Sequence, residues 1–256
     1  MKAVRLVLGV SMLFWMGSCD RPELDPTPVD LEVTMYEVLG EDASTLQLFF
    51  QTEQQYGCSN YQILMTALDT INEVSVDVEG VMEPSACLGD FAPAFGSVYL
   101  TNRRSTRPIS VVQGDVVSTG TLDIQADRYV LEIDQPDGLV ALNSELMKVP
   151  NDLYWGIVSL AASTVTQEYQ DFLETMSDRG ALLSPELTPG EYSYFNVATN
   201  GDFSIPSIEE NAVVKYIYFT YPLDAQTLQS SLDDFVNASF TVQLTSYQGA
   251  NLDNIL

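Results

Sequence analysis

The chain has 256 residues, with 36 acids against 10 bases, a net charge of −26 and no histidine. A field of that sign repels phosphate backbones and anionic headgroups, so nucleic acid is not expected as a partner. Without histidine there is no Ser-His-Asp triad, no imidazole base and no customary transition-metal ligand.

The N-terminus reads as an export leader. Lys2 and Arg5 precede an apolar run over 6–16. That run is too short to cross a bilayer, which takes ~20 residues. Gly17 and Ser18 are small, as a signal peptidase requires next to the scissile bond, and Cys19 follows. The segment Met16-Gly17-Ser18-Cys19 resembles a bacterial lipobox, departing from it at Met16, where Leu is commonest. The resemblance implies a signal peptide over 1–18, acylation of Cys19, and export to a membrane, with the outer membrane expected. Residues 19–30 carry Pro22, Pro26 and Pro28 and read as a lipid-anchored tether. The leader holds two of the bases and none of the acids, so the remainder is more acidic still. Cys58 and Cys87 form an even pair in an oxidising compartment and are expected to form a disulfide, with a histidine-free metal site as the weaker alternative.

Residues 31–149 alternate. Val74, Val76 and Val78 share one face of 73–79. Leu46, Leu48 and Phe50 form a second inward row, Tyr61, Ile63, Met65 and Ala67 a third, and Tyr129, Leu131 and Ile133 a fourth. Further strands are expected at 31–39, 97–100, 109–112, 116–124 and 139–142. Turn signals lie between them at Gly40-Glu41-Asp42, Gly89-Asp90, Gly114-Asp115 and Asp137-Gly138. Short strands at this spacing predict an immunoglobulin-like β-sandwich, in architecture only. The stretch Cys58-Ser59-Asn60-Tyr61 resembles one found in Bacteroidetes-type cell-envelope lipoproteins. That resemblance covers this segment alone and implies no activity. Asp69-Thr70-Ile71 also fits the short O-glycosylation motif of that phylum.

Residues 150–256 change pattern. A buried-type strand over 153–161 is followed by Thr164 and Gln167 at capping-box spacing, then Val165, Tyr169, Phe172, Leu173 and Met176 at helical spacing, with Gly180 as the stop. Strands are expected at 191–199 and 212–221. Asp224 is placed as an N-cap flanked by a Leu223/Leu228 staple, and Leu228, Leu232, Phe235 and Val236 form an apolar stripe. Phe240, Val242 and Leu244 mark a last strand over 240–247. The order β-α-β-β-α-β predicts a ferredoxin-like α+β domain with one sheet face free of helices.

Tyr192 and Tyr194 share one face of their strand, and Tyr216 and Tyr218 one face of theirs. On neighbouring strands they would build an aromatic face for a sugar or a protein. The alternative is that the face is covered by the β-sandwich or by a second copy. Arg103, Arg104 and Arg107 are placed on a loop that would take an anion or a partner's carboxylate, or simply relieve self-repulsion. Paired carboxylates such as Glu209-Glu210 and Asp233-Asp234 occur at the frequency expected by chance in so acidic a chain. No cofactor is expected, beyond adventitious Ca2+. The expected function is a non-catalytic, lipid-anchored envelope protein that binds or assembles with a protein partner or a second copy. A glycan-binding lipoprotein using the tyrosine face comes second, and a carboxylate-dependent glycoside hydrolase third.

Overall fold

The computed structural model describes residues 23–161, 166–206, 208, 211 and 213–255. The expected leader, Cys19, Thr164, Val165 and the Glu209-Glu210 pair lie outside them. The molecule is mostly β, and its largest element is a curled sheet. Among the described residues no helix is long and apolar enough to cross a membrane.

The first half comprises β1 (Leu24–Asp25), β2 (Leu31–Val38), β3 (Thr45–Tyr56), β4 (Gln62–Asp69), β5 (Val74–Met82), β6 (Ala92–Thr101), β7 (Ser105–Gln113), β8 (Val116–Ile124), β9 (Arg128–Gln135), β10 (Leu139–Ala141) and β11 (Glu145–Met147). The path runs β10-β2-β3-β6-β4-β5-β7-β8-β9-β11, with β1 added beside β5. The β6–β4 step is a single parallel pairing, Gln62 with Phe95. The whole curled sheet shares one core. The alternating rows supply that core: Leu46, Leu48 and Phe50 from β3 meet Val74, Val76 and Val78 from β5 and Leu131 from β9.

Two expectations for this half are corrected. The inward row on β4 ends at Met65, which still packs on the core: Ala67 is exposed, past the register shift between Leu64 and Met65, opposite Gly80. Gly80 has a φ of 143°, and a Cβ there would stand 2.2 Å from the Asp25 carbonyl oxygen, so only glycine admits β1 at this point. The expected tether is also partly bound. Leu24 and Asp25 pair with Met82 and Val81, and Gln113 holds the Val29 backbone through both its N–H and its carbonyl.

The second half comprises β12 (Leu153–Leu160), α1 (Gln167–Asp178), β13 (Leu182–Leu183), β14 (Gly190–Glu191), β15 (Asn196–Val197), β16 (Phe203–Ser204), β17 (Val214–Thr220), α2 (Ala225–Asp233), β18 (Phe240–Ser246) and β19 (Asn251–Asp253). One sheet runs β13-β17-β12-β18-β19, antiparallel throughout. Thr166, rather than Thr164, caps α1: its side chain accepts from the Tyr169 N–H at 3.3 Å. Asp224 caps α2 as expected, accepting from Thr227 N–H at 2.8 Å, though Leu223 of the expected staple is exposed. Phe172 and Met176 of α1 and Leu228 and Leu232 of α2 bury against Tyr154, Val158, Ile217 and Phe219 on one sheet face.

The neighbour of β17 is β13, not the 191–199 segment. Ser184, at φ 47°, and then Pro185 and Pro189 take the chain off the sheet after two paired residues. Residues 190–204 then build a separate three-stranded sheet, β14-β15-β16, whose core residues pack on the helix-free face of the larger one.

Candidate functional site

The tyrosines come first, because their fate defines the junction between the halves. Ile217 and Phe219 face the helices, so Tyr216 and Tyr218 lie on the other face. That face is not an open platform. Phe203 stacks on Tyr218 at 4.4 Å between ring centroids, and the Tyr216 hydroxyl donates to the Ile208 carbonyl. Tyr192 is buried against Phe195 at 4.4 Å and donates its hydroxyl to the Thr188 carbonyl at 2.9 Å, with burial pushing that hydroxyl up to about 12. Tyr194 packs on Trp155 and reaches the Leu39 N–H of the first half. Tyr192 and Tyr194 lie in the connection between β14 and β15 of the small covering sheet, and Tyr216 and Tyr218 on β17 of the sheet it covers. Of the two expected arrangements, an open face and a covered one, the covered one is found, with the 190–204 segment as the cover and an apolar contact that also takes in Met147, Val149 and Leu153.

A buried acid sits at this contact. Glu37 is 3% exposed and lies in phase with Leu31, Val33 and Met35, the inward row of β2. Its Oε1 accepts from the Tyr129 hydroxyl at 3.2 Å and its Oε2 from the Val149 N–H at 2.7 Å. Its own N–H donates to Ser193 Oγ at 2.6 Å. One residue thus grips β2, β9, the 148–152 connection and the covering segment. Burial pushes its carboxyl up, partly offset by the Val149, Ser44 and Tyr129 hydrogen bonds and by the Lys148 charge. Lys148 Nζ donates to Asn102 Oδ1 at 2.8 Å and to the Gln125 carbonyl at 2.7 Å, and stands 4.5 Å over the Tyr129 ring. Burial pushes this amine down, against the pull of Glu37. A cavity of about 410 Å³ lies here, lined by Glu37, Asn102, Arg104, Lys148, Glu186 and Tyr192 among others. Each Glu37 oxygen already has a donor, so the arrangement works as a clamp between the halves. Nothing in the composition marked Glu37, but an acid in register with three inward aliphatic residues is a readable signal.

The three arginines do not converge. Arg103 and Arg104 are exposed between β6 and β7, with Arg104 at the mouth of the cavity. Arg107 is in β7, not on a loop, and its side chain is 1% exposed. Its Nη1 donates to Asp69 Oδ1 and, at 2.7 Å, to the Thr70 carbonyl, while Asp69 Oδ2 accepts from the Thr101 N–H at 2.7 Å. Its Nε and Nη2 are buried with no hydrogen-bond partner. The β7–β5 pairing begins at Ile109, so Pro108 loses no hydrogen bond to β5 and the strand runs through it. Asp69, of the glycosylation-like triplet, is therefore engaged in this latch. Thr70 Oγ1 donates to the Glu73 carbonyl within its turn.

Cys58 and Cys87 are bonded, with Cα atoms 5.3 Å apart. The residues beside them reinforce the link. Ser59 donates its N–H and hydroxyl to the Leu88 carbonyl, and the Asn60 side chain bonds Ala86 and Leu88. Tyr61 stacks on Tyr56 at 4.6 Å. The Cys-Ser-Asn-Tyr stretch is a loop clasp. Loop closure by the disulfide is worth roughly 3–4 kcal/mol. Cys58→Ser with Cys87→Ser is expected to lower the urea midpoint accordingly, with a loss somewhat below that range because four hydrogen bonds keep the loops together. An unchanged midpoint would show that the bond adds nothing.

Among the described residues no three Cys, Asp or Glu side chains are placed to hold a metal ion. Comparison of the chain with protein-family models, curated proteins and solved structures finds no match.

Proposed function

We propose that this chain is an exported protein of the bacterial envelope, held at the outer membrane by lipid on Cys19, and that its two halves act as one non-catalytic binding or assembly module. In this reading the curled sheet is an immunoglobulin-like sandwich, supported by the single core to which strands from both ends of the order contribute. The second half is ferredoxin-like, supported by the strand order β13-β17-β12-β18 and by both helices lying on one face. The observation that carries the module reading is the Glu37 clamp. It uses the most deeply buried acid at the contact to fix one half against the other, which presents both outer surfaces in a constant relation. The cystine clasp supports the oxidising compartment.

Fractionation of cells tests the anchor. The native chain should sediment with membranes and incorporate labelled fatty acid. Cys19→Ser should be released or accumulate with its leader uncut. A Cys19→Ser protein that stayed in the membrane fraction would refute the lipid anchor.

A further inference from the structure

Aromatic side chains occupy the outward positions of β2, β3 and β6, where alternation calls for polar residues. The strand register places them on a grid. Tyr36, Gln47 and Tyr99 form one row across the three strands, Thr34, Phe49 and Ser97 the next, and Glu32, Gln51 and Phe95 the third. Tyr36, Phe49 and Phe95 therefore run diagonally over the face, with centroid spacings of 6.2 Å at both steps. Tyr99 stands at the corner. Tyr36, Phe95 and Tyr99 are 39%, 40% and 61% exposed. Amides fill the places between the rings. Gln47 donates to Ser97 Oγ at 2.8 Å and to the Tyr99 hydroxyl at 3.4 Å, and Gln51 donates to the Glu32 carboxylate at 2.5 Å.

We propose that this outer face binds neutral oligosaccharide chains. Aromatic rings offer apolar surface to the C–H faces of a sugar, and glutamine amides offer both a donor and an acceptor to its hydroxyls. The three rows carry one ionised group, Glu32, already held by Gln51, and no cation. On a chain of net charge −26 this disfavours acidic polysaccharides and anionic membrane. A second copy seated here would bring two such bodies into contact, a repulsion that a neutral chain does not meet. Contiguous exposed apolar surface on an otherwise charged protein marks a binding region. The inference rests on the reading of the protein as an exported binding module and gives that module a ligand class and a surface. It replaces the four tyrosines at the contact between the halves with residues on the opposite side of β2 from Glu37.

The test is affinity electrophoresis of the purified full chain in gels containing xyloglucan, galactomannan, mixed-linkage β-glucan or starch, with polygalacturonate as the acidic control. Retardation by at least one neutral polymer is expected. Phe49→Ala and Tyr99→Ala should each weaken it roughly tenfold, while Leu182→Ala, an exposed apolar position in the second half, should leave it unchanged. If Phe49→Ala does not fold by circular dichroism, the well-exposed Tyr99→Ala and Phe95→Ala carry the comparison. No retardation by any neutral polymer, retardation by polygalacturonate alone, or retardation unchanged in both aromatic variants would overturn the proposal. So would a dimer that Tyr99→Ala dissolves, which would assign the face to a second copy. The membrane fractionation of Cys19→Ser is read independently, so failure here leaves the anchor standing.

Discussion

Asp69→Ala is expected to cost roughly 3–5 kcal/mol, the usual penalty for stripping one partner from a buried ion pair. Arg107 would keep its charge and its Thr70 contact in a site where its side chain is 1% exposed and two of its three guanidinium nitrogens already lack partners. The Thr101 N–H would lose its acceptor at the same time. Pairing the change with Arg107→Met should recover much of the loss, because the stranded charge goes with it. Urea midpoints of the two single variants and the double variant check this. A loss below about 1 kcal/mol in Asp69→Ala would mean that water reaches the guanidinium. Burial pushes the Asp69 carboxyl up, but the Thr101 and Arg107 hydrogen bonds outweigh it and leave it below its ordinary value of 3.8. The fold thus favours the ionised form. This contribution is complete above that ordinary value and disappears as pH falls through the lowered one, so Asp69→Asn should flatten the most acidic part of the stability profile.

Glu37→Ala is expected to cost roughly 3 kcal/mol, since two buried donors, the Tyr129 hydroxyl and the Val149 N–H, lose their acceptor. It should also loosen the two halves. Limited proteolysis should then cut near 148–152, and denaturation should separate into two steps; a single step with an uncut connection would argue against a clamp. The pH sign is opposite to that of Asp69. Burial raises the Glu37 carboxyl, so the fold favours its neutral form. That contribution is complete below the ordinary value of 4.5 and is lost as pH rises through the raised one. Glu37→Gln has no charge to desolvate, so its stability should approach the native value as pH rises through the raised value of Glu37.

Much of this architecture was legible from periodicity. The rows Leu46-Leu48-Phe50 and Val74-Val76-Val78 needed only alternation, and Asp224 needed only the chemistry of an N-cap. The failures have local causes. A two-residue strand such as β13 is too short to alternate, so the longer 191–199 pattern took its place, although Pro185 and Pro189 had already turned that segment away. Arg107 looked like loop because it precedes a proline, which the register of β7 tolerates. The arginine's partner, Asp69, is distant in sequence and no pattern links them. Tyr36, Phe49 and Phe95 were missed for another reason: strand reading assigns aromatic residues inward, and here the neighbouring aliphatic residues hold the inward phase.

Trp155 stands on β12 at the contact between the halves, 3% exposed, with Tyr194 at 5.6 Å and Phe195 at 5.3 Å. The chain's other tryptophan, Trp15, lies in the segment proposed as the leader. In a chain lacking residues 1–18, the segment proposed as the leader, all indole emission would come from this one position, fed by nearby tyrosines. The protein thus carries a native optical reporter at the contact between its halves. A red shift would register the opening of that contact separately from the melting of either sheet.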